Sequence, residues 1–141
     1  MTWIGWALLS AVFAGATAVL AKVGVAHVDS NLATAIRTTV ILAVTWLIAL
    51  VFTPAGEFTM PGRRTLVFLC LSAVATGLSW VCYFRALQLG EASRVAPVDK
   101  LSVVFAIALA VIFLRERLTW QQAAGGALIV AGSLLIAWKT S

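Results

Sequence analysis

The sequence predicts an all-α integral membrane protein with five transmembrane helices. Of its 141 residues, 62% are hydrophobic and only 11% are charged, whereas soluble domains carry about 25% charged residues. The apolar residues fall into five runs, each close to the ~20 residues that cross the hydrocarbon layer. A soluble domain of this length buries only about 70% of its unfolded surface, so lipid must cover the remaining apolar surface.

Turn and capping residues bound the five runs. Backbone groups in lipid must pair within their own segment, so runs of this length favour helices over barrel strands of about ten residues. Asp29, Ser30 and Asn31 are candidate N-caps, and Pro54 and Pro61 lie in breaker sequences between runs. Together the runs make 1–141 a single transmembrane domain, with predicted spans at residues 3–21, 32–52, 66–87, 95–114 and 120–138.

The positive charge of the chain indicates a bilayer rather than a nucleic acid as its partner. The net charge is +5 and the pI is near 10.0, but the basic residues are scattered singly or in pairs between apolar runs and form no contiguous patch. In a membrane protein such residues anchor helix ends against anionic headgroups.

The residues that enzymes and metalloproteins need are missing from the sequence. Cys70 and Cys82 lie in one apolar run, and His27 is the single histidine, so a thiolate or imidazole metal site is not supported. The sequence also has no phosphate-binding glycine loop, serine elbow or paired carboxylates. We therefore expect neither an enzyme nor a bound cofactor.

Positive charges are almost balanced between the two sides of the membrane. With five spans, the side of the N-terminus holds four basic residues and the opposite side holds five. Such a balance gives little orientation bias and leaves dual topology open. A single orientation is the alternative, if Arg85 and Lys100 lie partly within the membrane and do not count. The four residues on the side of the N-terminus are Arg63, Arg64, Arg115 and Arg117, and the five on the opposite side are Lys22, Arg85, Arg94, Lys100 and Lys139.

Three ionisable residues fall inside predicted spans, where each costs roughly 2.5–3.5 kcal/mol on insertion scales. Arg37 lies in the second span, and Asp99 and Lys100 lie in the fourth. Each of these side chains either lines a substrate path or extends along its helix to the lipid headgroups. Asp99 has the shortest side chain of the three and is the least able to reach the headgroups. Pro97 donates no hydrogen bond and is expected to kink the fourth span beside Asp99, as in the broken helices of transporter sites.

Small and hydroxylic side chains form faces on three spans. Such faces either line a watery cavity or let helices pack closely, and both alternatives remain open. Trp80, next to the face of the third span, either stacks on a cationic or aromatic substrate or fills space. The faces comprise Ser72, Thr76, Ser79 and Tyr83 on the third span, Ser10, Ala14 and Thr17 on the first, and Asp99 and Ser102 on the fourth.

The fifth span is rich in glycine and alanine. Gly125, Gly126 and Gly132 lie on it, with Gly125 and Gly132 seven residues apart on one side. Small residues at this spacing let another helix approach closely. The span is therefore predicted to form a dimer contact, with packing inside the same chain as the alternative.

The second half of the chain resembles a known transporter domain. An Ala-Leu pair precedes the span-four proline, Glu116-Arg-Leu-Thr119 precedes the fifth span, and two successive glycine positions mark the last helix. These features are similar to the EamA-type domain of the drug/metabolite transporter superfamily, and the likeness extends over the whole chain as one five-span unit. Most members resembling it carry two units of opposite orientation, which implies that this chain pairs with a second copy, ideally antiparallel.

Spans one, three, four and five are also similar to the four-helix small multidrug resistance exporters. Those exporters carry a membrane glutamate eight residues before a lysine, and counting back from Lys22 gives Ala14. The resemblance therefore does not extend to that proton-coupling carboxylate. Asp99 is the leading intramembrane acid that remains.

The sequence thus predicts a secondary transporter, an exporter of a small metabolite or amphipathic molecule. It is expected to work by alternating access as a homodimer in a bacterial-type inner membrane. A non-transporting subunit that helps another membrane complex assemble, or a flippase for a lipid-linked substrate, is the alternative.

Overall fold

The computed structural model describes residues 2–138, and this part of the chain contains helices but no strand. Lys139, counted above among the basic residues, lies outside the described residues. A single 3-10 turn at Ala55–Glu57 lies between the second and third helices. The α-helices are α1 (Trp3–Gly24), α2 (Ser30–Phe52), α3 (Arg63–Leu89), α4 (Ala92–Asp99), α5 (Ser102–Phe113) and α6 (Trp120–Ala137).

Five helical segments are long and apolar enough to cross a membrane, which confirms the predicted fold class. They are α1, α2, α3, the α4–α5 pair and α6. The second, third and fourth segments begin two or three residues before the predicted apolar runs, because polar residues continue each helix beyond its apolar stretch.

The fourth span consists of two helices and not of one run kinked at Pro97. α4 ends at Asp99, and a turn at Lys100 and Leu101 precedes α5. In this turn the backbone N–H of Lys100 donates to the carbonyl of Pro97 at 3.1 Å, and that of Leu101 donates to the carbonyl of Val98 at 3.0 Å. Bonds to the third preceding residue tighten the chain. The helix therefore breaks three residues after the proline.

One compact unit comprises Met1–Lys22 and Leu89–Ser141, so far as these residues are described. Within it, α4 and α5 both pack against α6. The buried hydroxyl of Ser133 in α6 donates to the carbonyl of Pro97 at 2.8 Å. The Lys22 ammonium donates to the carbonyl of Gly90 at 2.8 Å. The backbone carbonyls of Gly90 and Pro97, which lie near the two ends of α4, thus each accept a hydrogen bond from a side chain of another helix.

The second compact unit, Val23–Gln88, contains α2 and most of α3. Gln88, near the end of α3, holds the segment that precedes α2. Its amide nitrogen donates to the carbonyl of Val28 at 2.7 Å and to that of Val25 at 3.4 Å. Arg85 donates to the amide oxygen of Gln88 at 2.9 Å and so fixes the orientation of this amide.

Side chains cap the first turns of α2 and α6. Asp29 accepts hydrogen bonds from the backbone N–H groups of Asn31 at 2.9 Å and Leu32 at 3.2 Å, so Asp29 is the N-cap among the three candidates. At α6, the Thr119 hydroxyl accepts from the N–H of Gln122, whose side chain accepts from the N–H of Thr119. Each helix start thereby satisfies donors that have no partner within the helix.

Removal of the α2 cap should destabilise the protein by about 1 kcal/mol, because Asp29→Ala leaves two N–H groups without their acceptor. The measurement is the free energy of unfolding in mixed micelles titrated with dodecyl sulfate and followed by circular dichroism. Asn31→Ala is the matched control, since only the backbone of Asn31 contributes to the cap. Equal stability of the Asp29→Ala and Asn31→Ala chains would contradict the prediction.

Candidate functional site

Arg37 lies inside the second span with its guanidinium over two aromatic rings. Its guanidinium carbon is 4.5 Å from the ring centroid of Trp80 and 5.5 Å from that of Phe84. Arg37 follows the first residue of α2 by seven positions, about 10 Å along the helix at 1.5 Å per residue. The guanidinium of Arg37 therefore lies against aromatic side chains of α3.

The pairing of Arg37 with Trp80 follows from the depths of the two residues. Consecutive spans joined by a short connection run antiparallel, so the start of α2 and the end of α3 lie on the same side of the membrane. Trp80 precedes the end of α3 by nine residues, which puts it at a depth similar to that of Arg37. Sequence reasoning treated the two residues separately, although matched depth was a signal that could have paired them.

α2 carries a threonine face that sequence reasoning missed. Thr34, Thr38 and Thr45 each donate a hydroxyl hydrogen bond to the carbonyl four residues earlier, at 2.7, 2.7 and 2.8 Å. Their offsets of 4 and 11 residues put them within about 40° of one another on one face of the helix. The same spacing had revealed the polar face of the third span. These hydroxyls are satisfied by their own helix and require no partner helix.

Only part of the predicted polar face on the third span is shielded from solvent by neighbouring residues. Ser72, Thr76 and Ser79 are exposed, while Trp80 and Tyr83 are half-buried. Thr76 donates to the carbonyl of its own-helix neighbour Ser72 at 2.9 Å. Trp80 stacks on the chain's own Arg37, so its ring face is engaged by a protein cation.

The acidic and basic residues of the fourth span lie at its break. Asp99 ends α4, Lys100 lies in the turn, and Ser102 begins α5; all three are exposed. Asp99 and Lys100 form no ion pair with each other or with any other residue between 2 and 138; the ion pair found there joins Arg94 to Glu91 at 3.1 Å.

The residues of the predicted faces on the first and fifth spans differ in how far they are buried. On α1, Ser10 and Ala14 are exposed and Thr17 is half-buried. On α6, Gly126 is buried and its α-carbon faces Ile107 of α5, so this glycine serves packing inside the chain. A methyl group added at Gly125 or Gly132 would meet no neighbouring atom within 4 Å.

An apolar groove of about 510 Å³ lies between α5 and α6. Small residues, including Ala108, Ala123, Gly126 and Ala127, keep the groove open, and Gln122 of the α6 cap is its one polar lining residue. A smaller cleft of about 320 Å³ at the same pair of helices is bordered by Glu116 and Arg117. The groove has the chemistry of a site for a hydrocarbon chain or a helix rather than for a polar solute.

Comparisons with known proteins identify close relatives. The sequence profile of the EamA-like transporter family matches residues 1–138. An uncharacterized transporter from the region 3′ of cobO in a Sinorhizobium species is 52% identical over 139 residues, which cover 96% of each chain. An uncharacterized protein of Methanocaldococcus jannaschii is 32% identical over 74 residues, or 52% of this chain and 54% of the relative.

A longer relative matches part of the chain. An uncharacterized transporter of Bacillus subtilis is 36% identical over 86 residues, which make up 61% of this chain but 28% of the relative. That protein is therefore roughly twice as long as this chain. No solved structure matches.

The contact between Arg37 and Trp80 should appear as an energetic coupling of about 0.5–2 kcal/mol. We expect the double variant Arg37→Met with Trp80→Leu to be destabilised by less than the sum of the two single variants, because each single change already removes the contact. The measurement is the free energy of unfolding in mixed micelles. A cycle of Arg37→Met with Trp46→Leu is the control and should be additive, since Trp46 is exposed on α2. Additivity in both cycles would contradict the contact.

Proposed function

The chain belongs to the EamA-like transporter family, and from this premise we propose that it works as one half of a homodimeric secondary transporter. It is a multi-pass membrane transporter. The proposal adds that it exports a small metabolite or amphipathic molecule across a bacterial-type inner membrane. Export is the direction suggested by its resemblance to the small multidrug resistance exporters.

The observation that carries the proposal is the presence of one five-span unit in this chain. The Bacillus subtilis transporter is roughly twice as long and matches this chain over 28% of its length, as expected if it holds two such units. A second copy of the chain would supply a second such unit. An odd number of spans and the balanced positive charges favour a second copy in the opposite orientation, which requires dual topology.

α6 supplies the proposed dimer surface. Gly125 and Gly132 lie seven residues apart, and both α-carbons have open space beside them. A helix of the second copy could approach this side to backbone distance, as at other small-residue interfaces in membranes. Gly126 contributes to packing between α5 and α6 and is left out of the proposed dimer surface.

The broken fourth span is the proposed moving part. Ser133 holds α4 on α6 through the carbonyl of Pro97, whereas the turn at Lys100 and Leu101 separates α4 from α5. A change in this turn would reorient α5 relative to α4 and change which side of the membrane Asp99 and Lys100 are open to. Substrate or a proton would bind at these exposed side chains, as at the broken helices of other transporters.

The groove between α5 and α6 favours a second candidate, a flippase for a lipid-linked substrate. Its walls are apolar and its volume of about 510 Å³ accommodates part of an acyl chain. In this candidate the lipid tail would follow the groove while the head group crosses at the break of the fourth span.

The antiparallel homodimer predicts that the chain inserts in both orientations. Fusions of a reporter active in the cytoplasm and one active in the periplasm, placed at each end, should give signal from both sides. Replacing Arg63 and Arg64 by glutamine leaves two basic residues on the N-terminal side against five on the other, so this variant should insert with its N-terminus outside. A single orientation of the unaltered chain would reject the antiparallel arrangement.

Asp99→Asn should reduce solute-driven current by about tenfold or more, because it removes the one carboxylate within a span. The measurement uses proteoliposomes on a solid-supported membrane, exposed in turn to amino acids, polyols, organic acids and amphipathic amines. Glu91→Gln is the control, since Glu91 pairs with Arg94 at the start of α4. Undiminished current in Asp99→Asn would remove Asp99 from the mechanism, and no current together with no uptake of any of these solutes in radiolabelled form would contradict solute transport.

A further inference from the structure

The guanidinium of Arg37 keeps its hydrogen-bonding edge available. The rings of Trp80 and Phe84 contact it within cation–π range. Its five N–H donors lie in the guanidinium plane, and between residues 2 and 138 none of them makes a hydrogen bond or a salt bridge. Tyr83 interacts with the guanidinium electrostatically but brings no carboxylate. Half-buried donors without acceptors are costly in an apolar environment. A ligand with acceptor oxygens would remove that cost.

The unit that contains Arg37 offers no carboxylate to neutralise it. Within Val23–Gln88 the acidic residues are Asp29 and Glu57. Asp29 caps the start of α2, and Glu57 lies in the 3-10 turn between α2 and α3. Neither lies inside a span, so the positive charge of Arg37 is uncompensated at its depth in this unit.

The contacts of Arg37 with Trp80 and Phe84 also favour one chemical class of ligand. Two rings against a guanidinium restrict its plane, which lowers the entropy lost when the edge binds a partner. A fixed guanidinium edge matches the two oxygens of a carboxylate or phosphate group, to which arginine donates two parallel hydrogen bonds. A cationic or neutral solute would gain no such pair of bonds.

We propose that Arg37, positioned by Trp80 and Phe84, binds the carboxylate or phosphate group of an anionic small solute. This inference deepens the transporter proposal and rests on it, because it names the substrate class as organic anions. The phosphate of a phospholipid has the same chemistry, so the experiment separates a soluble anion from a lipid headgroup.

The test reads anion binding from the fluorescence of Trp80. The chain has six tryptophans, and replacing the other five by phenylalanine leaves Trp80 as the reporter. The protein is purified in maltoside micelles, which contain no phosphate. It is titrated with cyclohexanecarboxylate, cyclohexyl phosphate, the neutral cyclohexylmethanol and the cationic cyclohexylmethylammonium, and separately with a short-chain phosphatidic acid.

We expect a saturable change of Trp80 emission with the carboxylate or the organic phosphate, and no saturable change with the alcohol or the ammonium. Arg37→Gln should weaken this binding at least about tenfold, because it removes the charge and the bidentate donors. Arg37→Lys keeps the charge without the planar fork and should weaken binding about threefold or more. Arg64→Gln removes a charge at the opposite end of α3 and should leave binding unchanged.

Several outcomes overturn the proposal. They are equal responses to the anion and the ammonium, an undiminished response in both Arg37 variants, no response to either soluble anion, or a response to phosphatidic acid alone. Circular dichroism and elution volume establish that each variant is folded. If Arg37→Gln does not fold, Arg37→Lys decides the result.

The transporter proposal is tested separately, since the end fusions and the Asp99→Asn currents do not involve Arg37. Current with a cationic or neutral solute but no anion binding would reject only the substrate class. Anion binding by a chain that gives neither solute current nor uptake of radiolabelled solute would reject transport and leave the anion site.

Discussion

The bilayer supplies no water to hydrogen-bond backbone groups, and this constraint governs how the chain tolerates a broken helix. At the break in the fourth span, the carbonyl of Pro97 accepts bonds from the Lys100 N–H and from the Ser133 hydroxyl. The break therefore depends on a polar side chain of a different helix. α2 follows the same rule internally, since its threonine hydroxyls bond to carbonyls one turn earlier.

The intramembrane charges fall into two groups with different surroundings. Arg37 lies against Trp80 and Phe84, which stabilise the cation without neutralising it. Asp99 and Lys100 lie at a break and are exposed. A cation held against rings has a defined orientation before a ligand arrives, which suits recognition. Exposed charges beside a turn have freedom to move, which suits coupling to a conformational change. In the two proposals, Arg37 recognises the anionic group of the solute, and Asp99 and Lys100 bind a proton or another part of the substrate at the moving break.

The parts of the structure that were predictable from sequence are those fixed by local interactions. The five spans follow from apolar length, and the Asp29 cap follows from a side chain and the backbone two and three residues later. The position of the break did not, because it lies three residues after the proline and its Pro97 carbonyl is held by Ser133 on another helix. The contact of Arg37 with Trp80 joins residues far apart in sequence, and the threonine face of α2 was missed although its spacing was readable.

The five-span count has a consequence for how longer proteins of this kind can arise by gene duplication. A chain that crosses the membrane five times ends on the side opposite to its start, so a copy fused directly behind it begins there and is inverted. A four-span unit would need an added crossing to achieve the same result. After such a fusion the two halves are encoded separately. Each half can then acquire its own charge bias, and no single sequence has to insert both ways.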